Sequence, residues 1–386
     1  MLSFLFLGIN NIGFTTERKG MTKITFPGRT GFHQEAKQRV QQYFAENHLS
    51  PHADWRMVLK TVVILAWLAT SYVLLLFATS SLLLAIISAV AVAQGFVLVG
   101  FNIMHDGAHG SYSKNKRLNW IMGFTLDLIG GSNMFWRHKH NVLHHTYTNI
   151  NELDDDISIS GVMRFSPEQS WKPWHRVQHW YAFPAYSLMT LLWVTFGDFR
   201  KFFSGRIGGY KLPKPSAGES FLFFLTKVFY FFYMLVLPMF FHPFWHVVGL
   251  FLLVHAVLGA SMATIFQLAH VVGDNTFPRP DPQTGEIDNE WAIHEVETTA
   301  NFAPNSKIAA WYCGGLNFQI EHHLFPRVCH IHYPAVSKIV ERTCKEFGIR
   351  YVSYPTLRAA LVAHLRFLKN LGQKESVPAG EAVMSY

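Results

Sequence analysis

The chain has 386 residues, half of them hydrophobic and only 15% charged, with 34 Phe and 11 Trp. A mean hydropathy of +0.14 argues against a purely soluble protein and points to an integral membrane protein with substantial water-facing parts. The formal net charge of +8 calls for no nucleic-acid partner, because basic residues beside apolar spans mark the cytoplasmic side of a membrane.

Residues 1–20 begin apolar but lack a basic n-region and a small-residue cleavage site, so no signal peptide is read there, and Met21 is an alternative start to Met1. Phe32, Ala36, Val40, Tyr43 and Phe44 recur at helical spacing, predicting an amphipathic helix over 31–48. Apolar runs at 61–78 and 82–104 have spanning length and read as a hairpin around Ser80–Ser81. The second helix is expected to continue past the bilayer surface to His109. Two more spans, about 221–241 and 244–266, are hinged at His242–Pro243 and end near His270.

The stretches 119–134 and 180–196 are apolar but short. The first is broken by Asp127 and Gly130–Gly131, and the second contains Pro184. If 119–134 crossed the bilayer, the histidines before and after it would face opposite sides, so both stretches read as interfacial. Residues 200–219 read as a polar, basic loop. Residues 335–347 and 357–371 predict amphipathic water-side helices, the second with Leu357, Leu361, Leu365 and Leu368 on one stripe. The tail from Gln373 is expected to be disordered. The chain then divides into an N-terminal cytoplasmic segment (1–57), a membrane domain (58–345) and a C-terminal helix with its tail (346–386). Cys313, Cys329 and Cys344 show no C-x-x-C spacing and read as free cytoplasmic thiols.

The chain carries 21 histidines, and their grouping is informative. His105 and His109 stand four apart. The segment 136–149, W-R-H-K-H-N-V-L-H-H-T-Y-T-N, holds His140, His144 and His145. On an α-helix His140 and His144 share a face, with β-carbons roughly 5–6 Å apart. The third group, Q-I-E-H-H, holds Gln319, His322 and His323, and His270 stands alone at a span end. In the topology above all of these face the same side of the membrane. Neutral imidazole is a common ligand for mid-row transition metals, and this many rings imply more than one ion. His33, His48, His52, His175, His179, His294 and His364 are read as surface or core residues. His138 lies off the ligand face, and His242 and His246 lie at the far turn. His255 inside a span is assigned a structural hydrogen bond, and His330 and His332 are outer neighbours of the third group.

The boxes H-D-G-A-H (105–109), H-N-V-L-H-H (140–145) and Q-I-E-H-H (319–323), with flanks W-R-x-K-H-N, H-H-T-Y-T-N and G-G-L-N-F-Q-I-E-H-H-L-F-P, resemble those of the membrane-bound fatty acid desaturases over roughly residues 50–345. The Gln that opens the third box is similar to the front-end branch, which adds a double bond between an existing one and the carboxyl end. The resemblance implies an all-α membrane protein of four spans in two hairpins, with interfacial helices and a cytoplasmic cap. The cap would hold two iron ions, with O2 as co-substrate. The ligands it implies are His105, His109, His140, His144, His145, His270, His322 and His323. Gln319 either coordinates through its amide oxygen or holds a water. In the animal stearoyl-CoA branch an Asn one turn before the counterpart of His270 holds an iron-bound water; here that position is Phe266, and Asn317 and Gln267 are unranked substitutes. Asp106, Asn149 and Asp154–Asp156 are expected to orient ligand imidazoles.

The implied substrate is an acyl-CoA or a membrane lipid. With no H-P-G-G haem motif, the implied electron donor is separate, a ferredoxin or a cytochrome b5-like protein with its reductase, docked on a basic cytoplasmic face. The active site and both termini are expected on the cytoplasmic side. A hydroxylase on the same metal site is the neighbouring alternative, and a histidine-lined metal transporter the remote one.

Overall fold

The computed structural model describes residues 24–77, 81–158 and 161–374; both alternative starts, Met1 and Met21, Ser80 of the expected first turn, and the tail from residue 375 lie outside them. The protein is mostly helical, with two two-stranded ladders among the described residues. Four helices are long and apolar enough to cross a membrane: Trp55–Phe77, Leu82–His109, Ala217–Met239 and Phe244–His270. The four expected runs fall on them, the third helix ending at Met239 rather than 241. The second and fourth extend beyond their apolar runs, carrying His105, His109 and His270 on their last turns.

The second span is the innermost. It packs against both the first and the fourth, and buries Ala85, Ala89, Val92, Ala93 and Phe96. The three alanines among them let neighbouring backbones approach closely. The outer faces expose Val62, Val63, Leu74, Leu83, Phe221 and Val228, as a lipid-facing surface requires.

The apolar stretch at 119–134 forms the helix Lys116–Leu128, 13 residues long, capped by the Asn115 side chain. The stretch at 180–196 belongs to one continuous helix over 178–204, with a π-helical turn at Trp193–Gly197. Residues 200–204, read from sequence as loop, are therefore helical. Buried Asp198 accepts bonds from Trp193 Nε1 (2.8 Å) and Lys227 Nζ (2.8 Å), which ties this helix end to the third span. Gly205, at a φ of 61°, then ends the helix in the left-handed region. His255 bonds Tyr230 Oη (2.8 Å) and Thr190 Oγ1 (3.1 Å), the structural role expected of it.

Outside the four apolar helices, Phe32–Glu46 packs against Tyr333–Glu346. Phe32, Ala36, Val40 and Phe44 join Phe318, Val336, Val340 and Cys344 in one apolar cluster. The helix Leu357–Leu371 departs from its expected stripe: Leu357 is exposed, and the buried face is Ala360, His364, Phe367, Leu368 and Leu371. His364 takes the central position because both ring nitrogens are satisfied, Nδ1 donating to Val271 O (2.7 Å) and Nε2 meeting Tyr186 Oη (2.8 Å). All three cysteines are buried and free.

Candidate metal centre

The three boxes and His270 converge. Ligand atoms of His105, His109, His140 and His322 lie within 4.8 Å of one another; so do those of His144, His270 and His323, and those of His145, His322 and His323. Two nitrogen clusters result, with His145 between them. All eight expected histidines are present, and no other histidine enters these three groups.

Local folding explains the convergence. The second box is not α-helical throughout: His138–His144 is a π-helical stretch inside a helix over 133–147. Bonding from i to i+5 widens the turn, so residues four and five apart flank one face. His140 and His144 stack at 5.2 Å between ring centroids, as expected of a shared face. The tightest contact, however, is His140 Nε2 to His145 Nε2, 3.3 Å, a pair five apart that an α-helix would splay. A second π-helical stretch, Val99–Met104, precedes His105. The third box docks through Gly314, whose φ is +60° and whose added Cβ would lie 2.2 Å from Phe101 O in that stretch. Only glycine fits there.

Carboxylates turn some of the rings. His144 Nδ1 faces Asp154 Oδ1 and Oδ2 at 3.2 and 3.1 Å. The chain returns to reach it through Asn149, at a φ of 59°, whose backbone N–H also donates to Asp154 (3.0 Å). Lys139 clamps Asp156 (2.5 Å) and Asp155 (3.6 Å), so the acidic run is packed rather than solvated. His323 Nδ1 meets Glu295 Oε2 at 2.5 Å, and Thr148 Oγ1 donates to the same oxygen (2.9 Å). Glu295 has no exposed surface. It escaped the sequence reading because it stands in A-I-H-E-V (292–296), outside the three boxes, where no spacing marks it.

Two expectations about outer residues are corrected. Asp106 does not orient a box imidazole: its carboxylate takes His330 Nδ1 (2.9 Å) and Cys329 Sγ (3.0 Å), and His330 Nε2 meets Lys60 Nζ (2.9 Å). The side chain leaves the helix one residue after His105, on a different face. Asn149 holds backbone rather than a ring, its Nδ2 donating to His270 O and Thr298 O, both at 3.0 Å. Asn317 likewise donates to Phe302 O (3.2 Å). Gln319 is buried one turn before His323, with its amide oxygen unpartnered. Phe266 packs its ring against His270 (4.7 Å) and His144 (5.2 Å), where the animal stearoyl-CoA branch has its Asn.

The donor set fits metal. His105, His109, His144, His322 and His323 each leave Nε2 buried and unpartnered; His145 leaves Nδ1, and His270 leaves both nitrogens. Each such orphan costs about 1–3 kcal/mol, so their concentration in one spot is sustainable only with a ligand that accepts imidazole lone pairs. Burial, then the neighbouring imidazoles, holds His140, His145, His322 and His323 well below the usual histidine range, in the neutral form that metals bind. For His144 burial also lowers the value, but the Asp154 charge and hydrogen bond outweigh it and the net direction is up. Burial raises the Glu295 carboxyl well above its ordinary range.

A family model described as fatty acid desaturase matches residues 80–355. The chain is 41% identical over 350 residues to an acyl-lipid (8-3)-desaturase of Physcomitrium patens, covering 89% of this chain and 72% of that protein. It is 36% identical over 360 residues to the sn-1 linoleoyl-lipid 6-desaturase of Synechocystis sp., covering 91% and 98%. It is 31% identical over 354 residues to an acyl-lipid (8-3)-desaturase of Mortierella alpina, covering 90% and 79%. With its histidine clusters and four apolar helices, the chain belongs to the fatty acid desaturase family and is an oxidoreductase that desaturates fatty acyl chains.

Proposed function

We propose that the protein is an O2-dependent, di-iron, front-end desaturase that adds a cis double bond between an existing one and the carboxyl end of a lipid-linked acyl chain. The observation that carries the metal is the set of orphaned ring nitrogens in two clusters. One iron would be held by His105, His109, His140 and His322, the other by His144, His270 and His323, with His145 between them and Gln319 as the weaker addition. Once bound, the irons would use O2 and two electrons to remove hydrogen from an unactivated methylene. Overall the chain loses two hydrogens, and O2, two electrons and two protons leave as water.

The protein's own residues supply the rest. Asp154 and Glu295 fix the rings of His144 and His323. The apolar ring of Phe266 keeps water from the His144–His270 side. The relatives named for acyl-lipid substrates support a lipid carrier. The four spans form two hairpins, with 116–128 and 178–204 lying in the interface. The membrane domain runs over 58–345, between a cytoplasmic segment 1–57 and a C-terminal unit 346–386. The water-side helices form a cytoplasmic cap, with both termini on that side. A ferredoxin or cytochrome b5-like donor with its reductase docks there.

The test is expression in a host lacking polyunsaturated lipids, fed linoleate. The expected outcome is a new double bond on the carboxyl side of the existing ones, with about two irons per purified chain. His144→Ala should abolish product while the protein stays in the membrane fraction. Double bonds on the methyl side, or active protein free of iron, would overturn the reading.

A further inference from the structure

A groove of about 650 Å3 opens between the C-terminal helix and the segment that follows the fourth span, lined by Gly273, Asp274, Tyr354, Arg358, Arg366 and Asn370. That volume lies in the range of small-ligand sites. Arg358 and Arg366 stand eight residues apart on one helical face, about 12 Å along the axis at 1.5 Å per residue. Both are exposed, and neither has an ion-pair or hydrogen-bond partner among the described residues. The acid lining the groove does not neutralise them: Asp274 is taken by Arg350 Nη2 and by Tyr354 Oη, each at 2.5 Å.

The groove is fastened to the end of the span that carries His270. His364, between the two arginines, donates to Val271 O (2.7 Å), the residue next to His270. Phe367 from the same helix stacks on Phe277 at 5.4 Å. Gly273 follows His270 by three residues, at most about 11 Å of extended chain.

We infer that this groove holds the phosphate of the group that carries the acyl chain, with Arg358 and Arg366 as its ligands. Guanidinium forks match phosphate oxygens in charge and geometry. A carrier anchored this near His270 keeps the carboxyl end of the acyl chain short of the nitrogen clusters, as insertion on the carboxyl side requires. The inference rests on the front-end reading given above. A phospholipid head group and a CoA share this phosphate chemistry, and the two unpaired guanidiniums beside the span end that carries His270 favour either over a docked protein.

The experiment measures equilibrium binding of three radiolabelled probes to the purified full-length protein in detergent: 1-linoleoyl-phosphatidylcholine, linoleoyl-CoA and 1-linoleoyl-glycerol, which lacks phosphate. In Arg358→Gln/Arg366→Gln the Kd for at least one phosphate-bearing probe should rise tenfold or more, while the glycerol ester is unaffected. Which phosphate probe responds names the carrier. Arg358→Lys/Arg366→Lys should keep most of the affinity, and unchanged iron content should show that the double Gln variant is folded. Equal effects on all three probes, or none, would overturn the inference, as would loss of donor-dependent turnover with substrate affinity intact. Because binding is read without turnover, a wild-type protein that binds as expected yet lacks iron, or places its double bond on the methyl side, refutes the di-iron front-end reading and leaves the groove standing.

Discussion

His144 and His145 are neighbours in the chain, yet the His144 ring belongs to one nitrogen cluster while that of His145 stands between the two. His144 is turned by Asp154, and His323 in the same cluster is turned by Glu295. A carboxylate on Nδ1 leaves Nε2 to face the centre, and it makes the ring a better ligand. Asp154→Asn and Glu295→Gln should each weaken iron retention, by roughly 10–100-fold in metal affinity, the range typical of such outer partners. Titration with a chelator on purified protein, followed by iron analysis, checks this. Loss of activity with unaltered iron affinity would assign these carboxylates another task. His144→Ala should act more severely, because it removes a donor atom rather than its support.

At the scale of elements, the two π-helical stretches that adjoin the first and second boxes do the positioning. One lies immediately before His105 and the other contains His140 and His144. Wide turns of this kind are rare and persist where the surroundings hold them. Gly314 is one of those surroundings, seated against the Phe101 carbonyl. Gly314→Ala should push the third box away from the first. The expected result is a lowered thermal midpoint together with loss of iron, whereas Gly218→Ala, with open space around its Cβ position, should change neither. Normal iron content in Gly314→Ala would show that the contact does not set the register between the boxes.

For the whole molecule, the buried Lys227–Asp198 pair joins the third span to the helix over 178–204, and Lys227 also donates to Gly130 O at 2.6 Å. One cation thus ties together three segments distant in the chain. Lys227→Met leaves buried Asp198 with only the longer Lys201 contact (3.6 Å) and the Trp193 hydrogen bond. The cost should therefore fall below the about 3–5 kcal/mol of a fully unpaired buried charge, and Lys227→Met/Asp198→Leu should recover at least half of it. Unfolding midpoints in detergent report both. Four spans, three boxes and the lone His270 were legible in the sequence, because apolar length and histidine spacing are local properties of the chain. The spacing of the second box suggested an ordinary α-helix, and only packing decided on the wider turn that brings His140 against His145. Asp106 looked like an outer partner of the first box but turns to Cys329 and His330, while Glu295 gave no spacing signal at all. Which nitrogen meets which depends on contacts between residues tens to hundreds of positions apart, such as Thr148 with Glu295 and Gly314 with Phe101, and no local pattern encodes those.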